Sequence, residues 1–123
     1  MNAALLQGRR LLVVEDEYMI ATAMQRDLEG QGAVVVGPAP SVRRALGLLD
    51  GGPVLDGAVL DINLGCETVF PVAEALERRR VPFLFATGYD AADVPRPWCR
   101  VPRVEKPVEV AVIARVLFGG EAL

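Results

Sequence analysis

Short apolar runs alternate with stretches of helical period along the whole chain. The runs predict strands at about Arg10 to Val14, Ala33 to Val36, Ala58 to Asp61, Pro82 to Ala86 and Arg100 to Val104. Between them, Ile20, Met24 and Leu28 form the apolar stripe of a helix over about Glu17 to Glu29, stopped by Gly30 and Gly32. Ser41 is placed as the N-cap of a second helix carrying Val42, Ala45, Leu46 and Leu49, and Gly51-Gly52-Pro53 breaks the chain after it. A loop over Ile62 to Glu67 leads to a helix at about Thr68 to Arg79, with Val72, Ala75 and Leu76 inward. Gly88, Pro95 and Pro97 leave room for only a short or frayed fourth helix, about Ala91 to Val94. Pro102 falls inside the fifth predicted strand, which fits a sheet edge because a central strand needs that N–H. A last helix covers about Val108 to Leu117 and ends at Gly119-Gly120.

Strand and helix alternate five times, so the chain predicts an α/β fold with right-handed crossovers and a parallel sheet. In such a sheet the residues just past the strand C-termini line one crevice. Glu15-Asp16, Asp61 and Thr87 each come just after an apolar run, and Lys106 comes just after Val104-Glu105, so all should meet at one edge. Three carboxylates, a hydroxyl and an amine suit a divalent metal and a phosphoryl group. Mg²⁺ takes oxygen ligands, which Asp16, Asp61, Glu15 and a loop carbonyl near Asn63 can supply. A carboxylate is also a competent nucleophile for an acyl phosphate, and the Lys106 ammonium and Thr87 hydroxyl can stabilise the phosphoryl charge.

Composition narrows the chemistry. The 123 residues suit one domain, 52% are hydrophobic, and the net charge of −3 argues against nucleic acid as a direct partner. There is no histidine, which removes any histidine triad, histidine metal site or phosphohistidine in this chain. Neither a membrane-length apolar run nor an export signal is evident, so Cys66 and Cys99 are expected to be free thiols in a cytoplasmic protein. Arg78-Arg79-Arg80 reads as a solvated helix end, Trp98 as a packing residue near the fifth strand, and Tyr89 equally as a gate or an ordinary loop aromatic.

Together, Glu15-Asp16, Asp61, Thr87 and Lys106-Pro107 resemble the signature of the response-regulator receiver domain of two-component signalling, over nearly the whole chain. The resemblance implies a flavodoxin-like (βα)5 three-layer sandwich with sheet order 2-1-3-4-5. It implies that Asp61 accepts a phosphoryl group from a histidine kinase or histidine phosphotransfer protein, with Mg²⁺ on Glu15, Asp16, Asp61 and the Asn63 carbonyl. Thr87 would be the switch hydroxyl, Lys106 the phosphoryl's ion-pair partner, and the bond before Pro107 cis. Pro82 through Tyr89 (PFLFATGY), with Asn63-Leu64 and Pro71-Val72-Ala73, further resembles the FAT-GUY subgroup, often single-domain regulators. Some positions depart from the common pattern: Arg103 stands where most receivers carry an aromatic switch, Glu15 replaces an Asp, Cys66 replaces the subgroup's Gly, and Pro95 and Pro97 weaken the fourth helix.

The expectation is one receiver domain over residues 1–123 with no output domain, monomeric or weakly dimeric, and not a conventional enzyme. Phosphorylation would switch the Thr87–Pro97 and fifth-strand surface for a downstream protein. A phosphate sink for a shared kinase and a degenerate, constitutively binding receiver are the alternatives. An aspartate-based phosphatase is disfavoured because Asp61-Ile62-Asn63 puts Asn where a second acid is needed. Flavin binding is disfavoured because no phosphate-cradling loop succeeds the first strand.

Overall fold

The computed structural model describes residues 5–88 and 94–119. Its main sheet comprises β1 (Arg10–Val14), β2 (Val34–Ala39), β3 (Gly57–Asp61), β6 (Phe83–Thr87) and β7 (Arg103–Glu105). All pairings are parallel and the order is β2-β1-β3-β6-β7, which is 2-1-3-4-5 counting the sheet's own strands. The helices are α1 (Tyr18–Gly30), α2 (Val42–Leu49), α3 (Phe70–Arg78) and α4 (Val110–Phe118). This is the α/β flavodoxin-like architecture the sequence predicts.

Why the central strands read as unbroken apolar runs is clear from their burial: every residue of β3 and β6 is buried. A parallel sheet is covered on both faces, so neither side of a strand can be polar. Alternation then sorts the side chains into two cores. Leu12, Val14, Ala58, Leu60, Phe83 and Phe85 pack with Ala45, Val72 and Leu76 of α2 and α3. Leu11, Val13, Val59, Leu84 and Ala86 pack with Met24 and Leu28 of α1 and Ile113 of α4. Ser41 caps α2 as expected, its Oγ accepting from the Arg44 N–H at 3.2 Å.

Three expectations need correction. The second strand does not stop at Val36 but runs on through Gly37-Pro38 to Ala39, with its register against β1 shifting between Leu12 and Val14. An edge strand tolerates that proline because one side of it has no ladder to feed. The predicted loop at Ile62–Glu67 contains a small antiparallel hairpin, β4 (Asn63–Leu64) with β5 (Glu67–Thr68). Gly65 turns it with φ +72, while Cys66 has no positive φ. That is the pattern of a turn demanding glycine only at its first central position, which explains why cysteine is accommodated at the second. Finally, Pro102 lies just outside β7, although its carbonyl still accepts from the Phe85 N–H at 2.9 Å.

The helix predicted at Ala91–Val94 and Tyr89 fall wholly or mainly outside the described residues. A 3₁₀ turn at Arg96–Trp98 comes next, and it drives Trp98 into the core. The indole stacks on Phe70 at 6.2 Å and 6°, and meets Phe83 and Phe85 edge-on at 6.2 and 6.5 Å. Among the described residues no helix is long and apolar enough to cross a membrane.

Candidate functional site

The site forms where β1, β3 and β6 end. The Glu15 N–H donates to the Ala39 carbonyl at 3.0 Å, so the ladder to β2 extends to the first acid. Asp61 is the last residue of β3, held in register opposite Ala86. Thr87 ends β6, and its carbonyl accepts from the Lys106 N–H at 2.8 Å. The fixed registers thus carry Glu15, Asp16, Asp61, Thr87 and Lys106 to one edge. Lys106–Pro107 is a cis bond.

Glu15 and Asp61 are the buried acids of the described chain, at 3% and 6% exposure, while Asp16 is exposed. One oxygen from each of these three residues lies within 4.8 Å of the others. The Lys106 ammonium sits between the two buried acids, 3.0 Å from Glu15 Oε1 and 3.0 Å from Asp61 Oδ2. Their remaining oxygens accept from the backbone: Glu15 Oε2 from the Glu17 N–H at 3.1 Å, and Asp61 Oδ1 from the Asn63 N–H at 3.3 Å. Three carboxylates against one ammonium leave the cluster net negative, and burial magnifies that imbalance.

Crowding and burial set how these groups titrate. Burial pushes the Glu15 carboxyl up to about 7, with the Asp61 charge adding to the rise. The Glu17 N–H and Lys106 act the other way. Burial alone would lower Lys106, but its hydrogen bonds to Asp61 and Glu15 outweigh that and raise it. So the ammonium stays charged at neutral pH.

The donor set fits a hard divalent cation. It is all oxygen, contains no thiolate or imidazole, and combines two buried acids with one open to water. A cation there would relieve the repulsion between Glu15 and Asp61. Asn63 enters the cluster through its N–H, and Thr87 lines the same edge with 8% exposure.

Sequence reasoning missed two supports. One is the Phe70–Phe83–Phe85–Trp98 aromatic cluster, which shares a sheet face with Thr87 through the period of β6. The other is Glu67, whose Oε2 accepts the Val42 N–H at 3.0 Å. The apolar residues of β6 and the single tryptophan hinted at the first; the second joins distant segments and left no local signal.

No protein-family model matches the chain, and no curated protein matches it. Solved structures do. The chain is 38% identical to SdrG from Sphingomonas melonis Fr1 in its solution structure, covering 92% of this chain and 94% of that one with a TM-score of 0.76. It matches a BeF3-activated conformation of SdrG at 38% identity, 88% and 92% coverage and a TM-score of 0.72. A response regulator receiver protein from Sinorhizobium medicae WSM419 shares the fold at 23% identity, 91% and 93% coverage and a TM-score of 0.72. So does a response regulator from Burkholderia pseudomallei solved with a phosphorylated aspartic acid, a calcium ion and citrate, at 24% identity, 93% and 69% coverage and a TM-score of 0.73.

Proposed function

This chain belongs to the response-regulator receiver family, and on that footing we propose that Asp61 is a phosphoacceptor served by a histidine kinase or histidine phosphotransfer protein. The observation that carries the reading is one ammonium, Lys106, held 3.0 Å from both Asp61 and Glu15 with Asp16 alongside. Receivers are generally not conventional enzymes, and the chemistry is a single transfer. An Asp61 oxygen attacks phosphorus as the bond to the donor imidazole nitrogen breaks, and the electron pair leaves on that nitrogen. Lys106 shifts its charge toward the phosphoryl oxygens, and the Thr87 hydroxyl donates to one of them. Glu15, Asp16, Asp61 and the Asn63 carbonyl would hold Mg²⁺, which neutralises phosphoryl charge when bound.

Similarity to a protein with a BeF3-activated state favours a switch. The surface proposed to respond is Thr87–Pro97 with β7, and the PFLFATGY stretch supports placing the chain in the FAT-GUY subgroup. For the donor's approach, Tyr18 and Met19 are each 79% exposed at the start of α1. Met19, Ile20 and Met24 line a groove of about 490 Å³ that continues to Lys106 and Val108. Exposed apolar surface bordering a reactive centre is what a docking protein needs.

Intact mass after incubation with acetyl phosphate and Mg²⁺ tests the reading. One added phosphoryl group, absent in Asp61→Asn and in EDTA, is the expected result. No adduct, together with no binding of beryllofluoride, would instead make the chain a constitutive protein-binding module.

A further inference from the structure

We propose that Glu67 is a positioning residue for the metal-binding edge of this site, acting as a tie between the β4–β5 hairpin and α2; the inference rests on the phosphoacceptor reading. The hairpin touches the acidic cluster at two points. Its first residue, Asn63, donates its N–H to Asp61 Oδ1 at 3.3 Å. Its turn lies over Asp16, since a Cβ on Gly65 would stand 3.8 Å from Asp16 Oδ2. The base of the hairpin is closed by the Val69 N–H donating to the Ile62 carbonyl at 3.0 Å.

Two-residue strands hold themselves weakly, because an isolated hairpin is marginal in water. Leu64 anchors the first strand in the core, but the second strand, Glu67–Thr68, is exposed and needs a hold beyond the ladder. Glu67 pairs with Leu64 across the hairpin, and its carboxylate accepts the Val42 N–H at 3.0 Å. That N–H is one of the orphan donors of the first turn of α2, where a negative charge is favoured. Ser41 caps the neighbouring donor of Arg44, so the two acceptors serve different groups on the same helix end. Only the Glu67 bond also fixes the hairpin, and with it Asn63 and the turn beside Asp16.

Calorimetric titration with Mg²⁺ and amide hydrogen exchange of residues 62–69 in metal-free protein test this in wild type, Glu67→Ala, Glu67→Gln and Ser41→Ala. Glu67→Ala should weaken Mg²⁺ about fivefold, the effect of losing one ordinary hydrogen bond near a surface, and speed hairpin exchange. Glu67→Gln keeps an acceptor oxygen and should restore both to within about twofold. Ser41→Ala should lower thermal stability yet leave Mg²⁺ affinity and hairpin exchange unchanged. Equal weakening in Glu67→Gln would mean a through-space charge effect and overturn the tie. Unchanged exchange in Glu67→Ala, or weakening in Ser41→Ala as large, would overturn it as well. A wild-type protein that binds no Mg²⁺ would overturn the phosphoacceptor reading and the positioning role with it, whereas intact wild-type binding with an indifferent Glu67→Ala overturns the tie alone.

Discussion

The acceptor corner and the β7 edge of this sheet are held in different ways. At the acceptor corner, β1 and β3 pair over four buried residues each, with neighbouring strands on both sides. At the other end, β7 has three residues, exposed or half-buried, and one neighbour. Buried charge explains the first arrangement. Glu15 and Asp61 are fixed by strand pairing behind them and by the Lys106 ammonium and the Glu17 and Asn63 N–H groups in front. The segment leading into β7 is anchored by Trp98, which packs against Phe70, Phe83 and Phe85. Lys106 joins the two: its backbone continues from β7, and its ammonium reaches the acids. On the proposed phosphoacceptor reading, a change of charge on Asp61 would alter the pull on Lys106, and the less buried β7 edge is where a response is expected.

Removing that anchor should have the largest effect on stability. Trp98→Ala is expected to destabilise by about 3–5 kcal/mol, as deletion of a core aromatic does, read by chemical denaturation. A loss below about 1 kcal/mol would mean that β7 is held by something other than the aromatic cluster.

Cutting the joint comes next. Lys106→Met leaves two buried acids without their cation. The loss should be roughly 2 kcal/mol in metal-free protein, below the range for a fully buried pair because Glu15 can take up a proton instead. Unfolding curves for the two proteins check it. No loss would show that the Lys106 pair contributes nothing across the two regions.

A smaller effect isolates the acceptor corner. Glu15 titrates near 7 when folded, against 4.5 as its ordinary value. The folded state thus holds more protons between those values, and the Glu15 contribution to stability falls as pH rises through that window. In EDTA, Glu15→Gln should gain in melting temperature relative to wild type from pH 5 to pH 8, most of it by pH 7. A difference independent of pH would mean that Glu15 ionises normally.

Much of this was legible in the sequence, for physical reasons. Strands buried on both faces must be apolar throughout, so β1, β3 and β6 announce themselves, and the polar residue ending each run is forced to the sheet edge. That made Glu15, Asp16, Asp61, Thr87 and Lys106 readable as one group. Edges carry less constraint: β2 runs on through Gly37-Pro38, and Pro102 precedes β7 rather than interrupting it. The β4–β5 hairpin is too short to show a period. Contacts such as Glu67 to Val42 and Trp98 to Phe70 depend on the folded topology, so no local pattern marks them.

The central claim is that charge captured at the acceptor corner is felt at the β7 edge. Amide hydrogen exchange with and without Mg²⁺ and beryllofluoride, in wild type and Asp61→Asn, tests it most directly. Altered exchange is expected over residues 87–104 in wild type only, with residues 57–60 of β3 unchanged. Beryllofluoride bound to wild type with no change over 87–104 would contradict it.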